Sequence, residues 1–110
     1  MLKLPKKTRV FVSPSPLDMR RSFDGLAAAV RERMDLSPDG GDLFVFSNRR
    51  GHLIKILFFD QQGYCLLCKR MEKGVFKFPF SEKDKLLVDT KMLERLLLGK
   101  ELETPKATLH

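Results

Sequence analysis

The chain has 110 residues, 43% of them apolar and nine of them Phe, which suits one folded domain with its own core and excludes a disordered polymer. Lys and Arg number 21 against 14 Asp and Glu, a formal net charge of +7 that favours an anionic partner, nucleic acid first. No window holds the long uncharged apolar run of a transmembrane helix, and Pro5 with Lys6-Lys7 breaks any signal-peptide core, so a cytoplasmic protein with free thiols is expected.

The first residues, 1–7, form a basic arm carrying Lys3, Lys6 and Lys7. Residues 8–12 read as a short strand around Val10-Phe11-Val12, stopped by Pro14 and Pro16, which exclude regular structure. Asp18 is the expected N-cap of a helix over 18–34, whose apolar stripe is Met19, Phe23, Leu26, Ala27, Val30 and Met34. Arg20 and Arg21 then fall in the first turn, where the helix dipole disfavours positive charge, and this points to a partner for them outside the helix.

Residues 35–42 are a loop by composition, and 43–78 read as an antiparallel meander. Three apolar runs are divided by turns closing at Gly51, Gly63 and Gly74, with 75–78 as a fourth strand. Asn48-Arg49-Arg50-Gly51 and Asp60-Gln61-Gln62-Gly63 each suit a type I turn followed by a left-handed glycine. Symmetric turns there would pair Lys55 with Cys68 and Leu53 with Arg70. A single turn is expected over 81–85, a brief strand over 86–88, and a short helix over 90–98. Asp89 or Thr90 would cap that helix, with Met92, Leu93, Leu96 and Leu97 inward and Gly99 as its stop. Residues 100–110 carry no pattern.

Catalytic and metal chemistry find little support. Cys65 and Cys68 match C-x-x-C in letters, but on a strand their sulfurs face opposite sides, and His52 and His110 are the only histidines. The carboxylates are scattered, with Asp60 and Asp18 suited to a turn and a cap, and no phosphate-binding glycine loop is present. Neither a cofactor nor a metal is therefore expected.

Binding finds more. Residues 43–79 hold the cations Arg49, Arg50, Lys55, Lys69, Arg70, Lys73 and Lys77 against the anions Asp60 and Glu72. Interleaved with them are Phe44, Phe46, Phe58, Phe59, Tyr64, Phe76, Phe78 and Phe80, the mixture a sheet uses to stack single-stranded bases, although core packing is the default for Phe on a strand. Phe58 and Phe59, being consecutive, face opposite sides of the sheet. The candidate nucleic-acid contacts are Arg20, Arg21, Arg49, Arg50, Lys55, Lys69, Arg70 and Lys77.

The run from Asp18 to Leu26, D-M-R-R-S-F-D-G-L, resembles the opening block of a family of bacterial insertion-sequence proteins. Leu43-Phe44-Val45-Phe46, Arg49-Arg50-Gly51, Lys55-Ile56-Leu57, Phe59-Asp60, Gly63, Lys69-Arg70, Glu72, Gly74, Phe76 and Pro79 continue the likeness, which spans about residues 4–99. The family is the TnpB-type accessory protein, the second reading frame of one class of insertion sequences, unrelated to the RNA-guided nuclease of that label. The resemblance implies a protein that assists a separate transposase and has no assigned catalytic residue. Where the family has Trp before the aspartate and an aromatic pair before Lys-Arg, this chain has Phe59 and Leu67-Cys68. The expectation is an α+β fold, the meander packed on one main helix with a short C-terminal helix. Its expected role is a non-catalytic transposition accessory that binds DNA through a basic sheet and hairpin surface. The alternative is an interaction module that binds the transposase without touching DNA.

Overall fold

The computed structural model describes residues 8–79 and 81–100. Five strands and two helices follow in the order β1 (Val10–Val12), α1 (Phe23–Met34), β2 (Leu43–Ser47), β3 (Leu53–Asp60), β4 (Gly63–Arg70), β5 (Leu86–Val88) and α2 (Thr90–Leu97). The strands make one sheet in the spatial order β4-β3-β2-β1-β5. The fold is α+β, as expected, and β2, β3 and β4 form the antiparallel meander. The sheet as a whole is mixed. β1 runs parallel to β2 and antiparallel to β5. A parallel neighbour needs a crossover, and α1 provides it between β1 and β2.

Strand alternation gives the sheet two buried faces. Phe11, Phe44, Phe46 and Leu57 face α1 and pack with Leu26, Ala27, Ala29, Val30 and Met34. Val10, Val12, Val45, Ile54 and Ile56 face the other way and pack with Leu93 and Leu96 of α2 and with Phe76. The central strands are covered on both sides, which is why β2 reads as a continuous apolar run without alternation. Each fully buried Leu, Val, Met or Phe among these contributes about 1.5–3 kcal/mol.

Several boundaries differ from the expectation. The helix begins at Phe23 with Ser22 as its cap residue, so Asp18 does not cap it and Arg20 and Arg21 precede its first turn. Asp18 is drawn instead into a local turn, where its carboxylate accepts the Arg20 backbone N–H. Phe23, counted in the apolar stripe, keeps 42% exposure. A helical side chain leans over the turn before it, and Phe23 has none to cover. Residues 75–78 are not a strand: Phe76 turns under the sheet, 3% exposed, and its N–H donates to the Gly51 carbonyl.

Two hairpins also differ in detail. β2 and β3 pair outward from Ser47 and Ile54, so the turn at Asn48–Gly51 lies inside a longer connection. Gly51, at φ +75°, is the left-handed residue there, and Gly74 is left-handed at φ +77°. In the next hairpin Asp60 pairs with Gly63, leaving a two-residue loop in which Gln61 takes the positive φ of 53°. Gly63 belongs to the strand. The β3–β4 register is the expected one, with Lys55 opposite Cys68 and Leu53 opposite Arg70.

The C-terminal helix follows its sequence signals closely. Asp89 accepts the Met92 N–H, and Gly99 at φ +75° ends the helix. There the Gly99 and Lys100 N–H groups donate to the Leu96 and Arg95 carbonyls, a Schellman pattern. Between 81 and 85 the chain bends, with Ser81 Oγ accepting the Lys83 N–H.

Candidate nucleic-acid interface

The tip of the β2–β3 hairpin is held from within and from behind. Gly51 N–H donates to the Asn48 carbonyl at 3.1 Å, closing the turn. Asn48 Oδ1 accepts the backbone N–H groups of His52 and Leu53 at 3.1 and 3.2 Å. With its oxygen so occupied, the Asn48 amide presents its NH2 to His52 Nδ1 at 3.0 Å. An amide NH2 can only donate, so the imidazole accepts at Nδ1 and carries its proton on Nε2. From behind, the 71–76 segment donates Met71 N–H to the His52 carbonyl and Phe76 N–H to the Gly51 carbonyl. Arg49 and Arg50 stand exposed on this braced tip.

A second turn lies beside it. Leu17 N–H donates to the Ser47 carbonyl, and buried Leu17 and Met19 pin the segment to the core. Asp18 accepts Arg20 Nε at 3.0 Å and Nη2 at 2.6 Å as well as the Arg20 backbone N–H at 2.9 Å. The Arg20 side-chain hydrogen bonds, followed by its backbone N–H, bring the Asp18 carboxyl down to about 2. The Arg20 side chain is nevertheless 92% exposed.

Between the two turns lies a cleft of about 630 Å³, lined by Arg20, Arg49 and Arg50 with Leu17, Met19 and Leu53 among its apolar walls. A second cleft of about 470 Å³ shares Arg49 and adds Arg33, Ser13, Ser15 and Asp84. Both open where the parallel strands β1 and β2 end, the position at which open α/β sheets commonly bind ligands. Arg33, in the last turn of α1, carried no signal in the sequence. Only the crossover that returns α1 to the sheet places it there.

The other sequence candidates lie elsewhere. Lys55 faces α1, and its Nζ donates to the Arg21 carbonyl at 2.8 Å. Lys69, on the opposite face, donates to the Leu97 carbonyl at the end of α2 at 2.7 Å. Lys85 makes a similar bond to the Met34 carbonyl at the end of α1. Arg21 lies along Gly25, its Nη1 3.5 Å from that carbonyl. Arg70 pairs with Glu72 at 2.7 Å, both exposed. Lys77 is exposed on the segment after β4. So Arg20, Arg49 and Arg50 come together, while Arg21, Lys55, Lys69, Arg70 and Lys77 do not line these clefts.

The aromatics go mostly to packing. Phe44 and Phe46 are fully buried, Phe11 stacks on Phe44 at 6.0 Å, and Phe59 meets Tyr64 edge-on at 5.1 Å. Phe58 and Phe78 are half-buried against the α2-side core. Phe80 and the arm 1–7 lie outside the described residues, as do residues 101–110 of the tail. Cys65 and Cys68 are free thiols on opposite faces of β4, set opposite Phe58 and Lys55 respectively. Among the described residues no helix is long and apolar enough to cross a membrane.

The family model for the IS66 Orf2-like protein matches residues 8–107. The chain belongs to this family. It is an accessory family of IS66 insertion sequences and not a known enzyme family, so the role that follows is one accessory to transposition. Two proteins of Sinorhizobium fredii (strain NBRC 101917 / NGR234) are similar to it. Uncharacterized protein y4hO is 37% identical over 108 residues, covering 98% of this chain and 94% of the relative. Uncharacterized protein y4jC is 37% identical over 71 residues, covering 64% of this chain and 61% of the relative. No solved structure matches.

Proposed function

We propose that this IS66 Orf2-like protein is a non-catalytic, cytoplasmic partner of the transposase that binds DNA through Arg20, Arg49 and Arg50. The observation that carries this reading is their convergence on one cleft, on a braced hairpin tip and a neighbouring turn. Two strand cations, Lys55 and Lys69, are meanwhile engaged with backbone carbonyls. The Arg20–Asp18 pair does not oppose the reading. Exposed ion pairs are worth little, and a phosphate can replace the carboxylate at small cost. The net charge of +7 adds a long-range attraction to a polyanion.

A second reading has an observation of its own. Leu67, Val75 and Leu98 are exposed at 42%, 48% and 64%. Leu98 and Val75 lie at the C-terminal end of α2, where Gly99 approaches Met71 and Val75, and Leu67 shares a face of β4 with Lys69, which reaches Leu97. Exposed apolar side chains rimmed by cations suit a protein partner. Fluorescence anisotropy with labelled DNA at low salt, run beside co-purification with the transposase, separates the two. DNA binding that Arg49→Ala/Arg50→Ala weakens supports the first reading. Transposase capture with no DNA binding, abolished by Leu67→Ser/Leu98→Ser, replaces it with the second.

A further inference from the structure

Resting on the DNA reading just proposed, we infer that the ligand is the phosphate backbone of double-stranded DNA, gripped without base stacking along a track of Arg20, Arg50, Arg49 and Arg33. The two clefts share Arg49, so the four arginines are successive stations on one surface. Readers of single strands gain about 1–3 kcal/mol for each base stacked on an aromatic ring. Among the described residues no aromatic side chain lines either cleft. Of the sheet aromatics, Phe11, Phe44 and Phe46 are buried in the core, and Phe58, Phe59 and Tyr64 are half-buried on β3 and β4, away from both clefts. Among the described residues Phe23 is the Phe exposed above 40%, and it lines neither cleft.

With stacking removed, charge density decides the ligand. A duplex offers one phosphate charge per roughly 1.7 Å of axis, twice the linear density of one of its strands. A surface that reads charge alone therefore prefers the duplex. The geometry of the tip agrees. Arg49 and Arg50 stand on a turn fixed by Asn48 and by the backbone bonds to Met71 and Phe76, so ordering costs on binding are small. Asp18 and Asp84 border the track and repel phosphate, which limits affinity, while the salt dependence follows from the number of phosphates contacted.

The experiment is anisotropy of the full chain with a random-sequence duplex and with one of its strands, each across a salt series. Four phosphate contacts give a slope of log K on log salt of about −3.6, so a fourfold rise in salt lowers duplex affinity by about 150-fold. Each of Arg20→Gln, Arg33→Gln, Arg49→Gln and Arg50→Gln should reduce the slope by about 0.9, with an unchanged melting temperature showing that the fold is intact. Equal or tighter binding to the single strand, weakened by Phe23→Ala or Tyr64→Ala, overturns the duplex inference while leaving DNA binding standing. A duplex slope that none of the four changes overturns the track. Binding to neither strand form at low salt removes the inference together with the reading beneath it.

Discussion

Lys69 is where sequence and structure make opposite claims about one side chain, and Lys69→Met tests them. As a phosphate contact, its loss would lower the DNA salt slope by about 0.9 and leave the fold alone. In the structure its Nζ donates at 2.7 Å to the carbonyl of Leu97, the last residue of α2. The Schellman turn satisfies the Leu96 and Arg95 carbonyls through Gly99 and Lys100, and Lys69 takes the Leu97 carbonyl beyond them. A cation at a helix C-terminus contributes about 0.3–1 kcal/mol, and a hydrogen bond from a charged group somewhat more. Because Lys69 is exposed, solvent screens the pair, and the expected loss is about 1 kcal/mol. For a domain near this size that lowers Tm by about 4–8 °C. Met keeps the unbranched stem, so packing against α2 is retained. Thermal melts and the DNA salt series on the same preparation decide it. An unchanged Tm with a slope reduced by about 0.9 would refute the capping argument.

Two further predictions concern the site. Gly51→Ala forces a side chain onto φ +75° and brings its Cβ to 3.2 Å from the Phe76 carbonyl, so a loss of about 1–2 kcal/mol is expected in urea unfolding, with weaker DNA binding as the tip loses its brace. The Asp18 carboxyl, held down to about 2 by Arg20, strengthens the 18–21 turn fully above about pH 4 and loses that contribution as pH falls through 2. Carbon-detected NMR titration should show its midpoint well below those of the exposed carboxylates, and Arg20→Gln should return it toward the ordinary aspartate value.

The meander was legible because its signals are local. Apolar runs, turn residues and the two-residue periodicity place β3 and β4 and fix the facing pairs Lys55–Cys68 and Leu53–Arg70. The C-terminal helix was legible for the same reason: Asp89 and Gly99 act within one turn of its ends. What the sequence withheld is non-local. Nothing in Val10-Phe11-Val12 says that it runs parallel to β2, since that depends on how far α1 carries the chain back. The start of α1 was misplaced because Asp18 and Ser22 are both good cap residues. Asp18 found a stronger partner in Arg20.

The cations follow the same division. Arg49 and Arg50 could be read as exposed because a hairpin tip has no interior, whatever the sheet does around it. A lysine inside a strand has two destinations, solvent or the end of whatever element covers its face, and the strand alone does not choose between them. Lys55 lies opposite Phe46 on the face that α1 covers and so meets the Arg21 carbonyl. Lys69 falls on the other face and meets α2. The Leu97 carbonyl is in the last turn of α2, where carbonyls have no partner inside the helix, and the Arg21 carbonyl lies in the segment just before α1. The cations thus divide into two roles by geometry: strand lysines that tie α2 and the segment before α1 to the sheet, and exposed arginines at turns. Charge counted along the sequence overstates the second group, and the arginines at the two adjoining turns are what it leaves for the DNA contact proposed above.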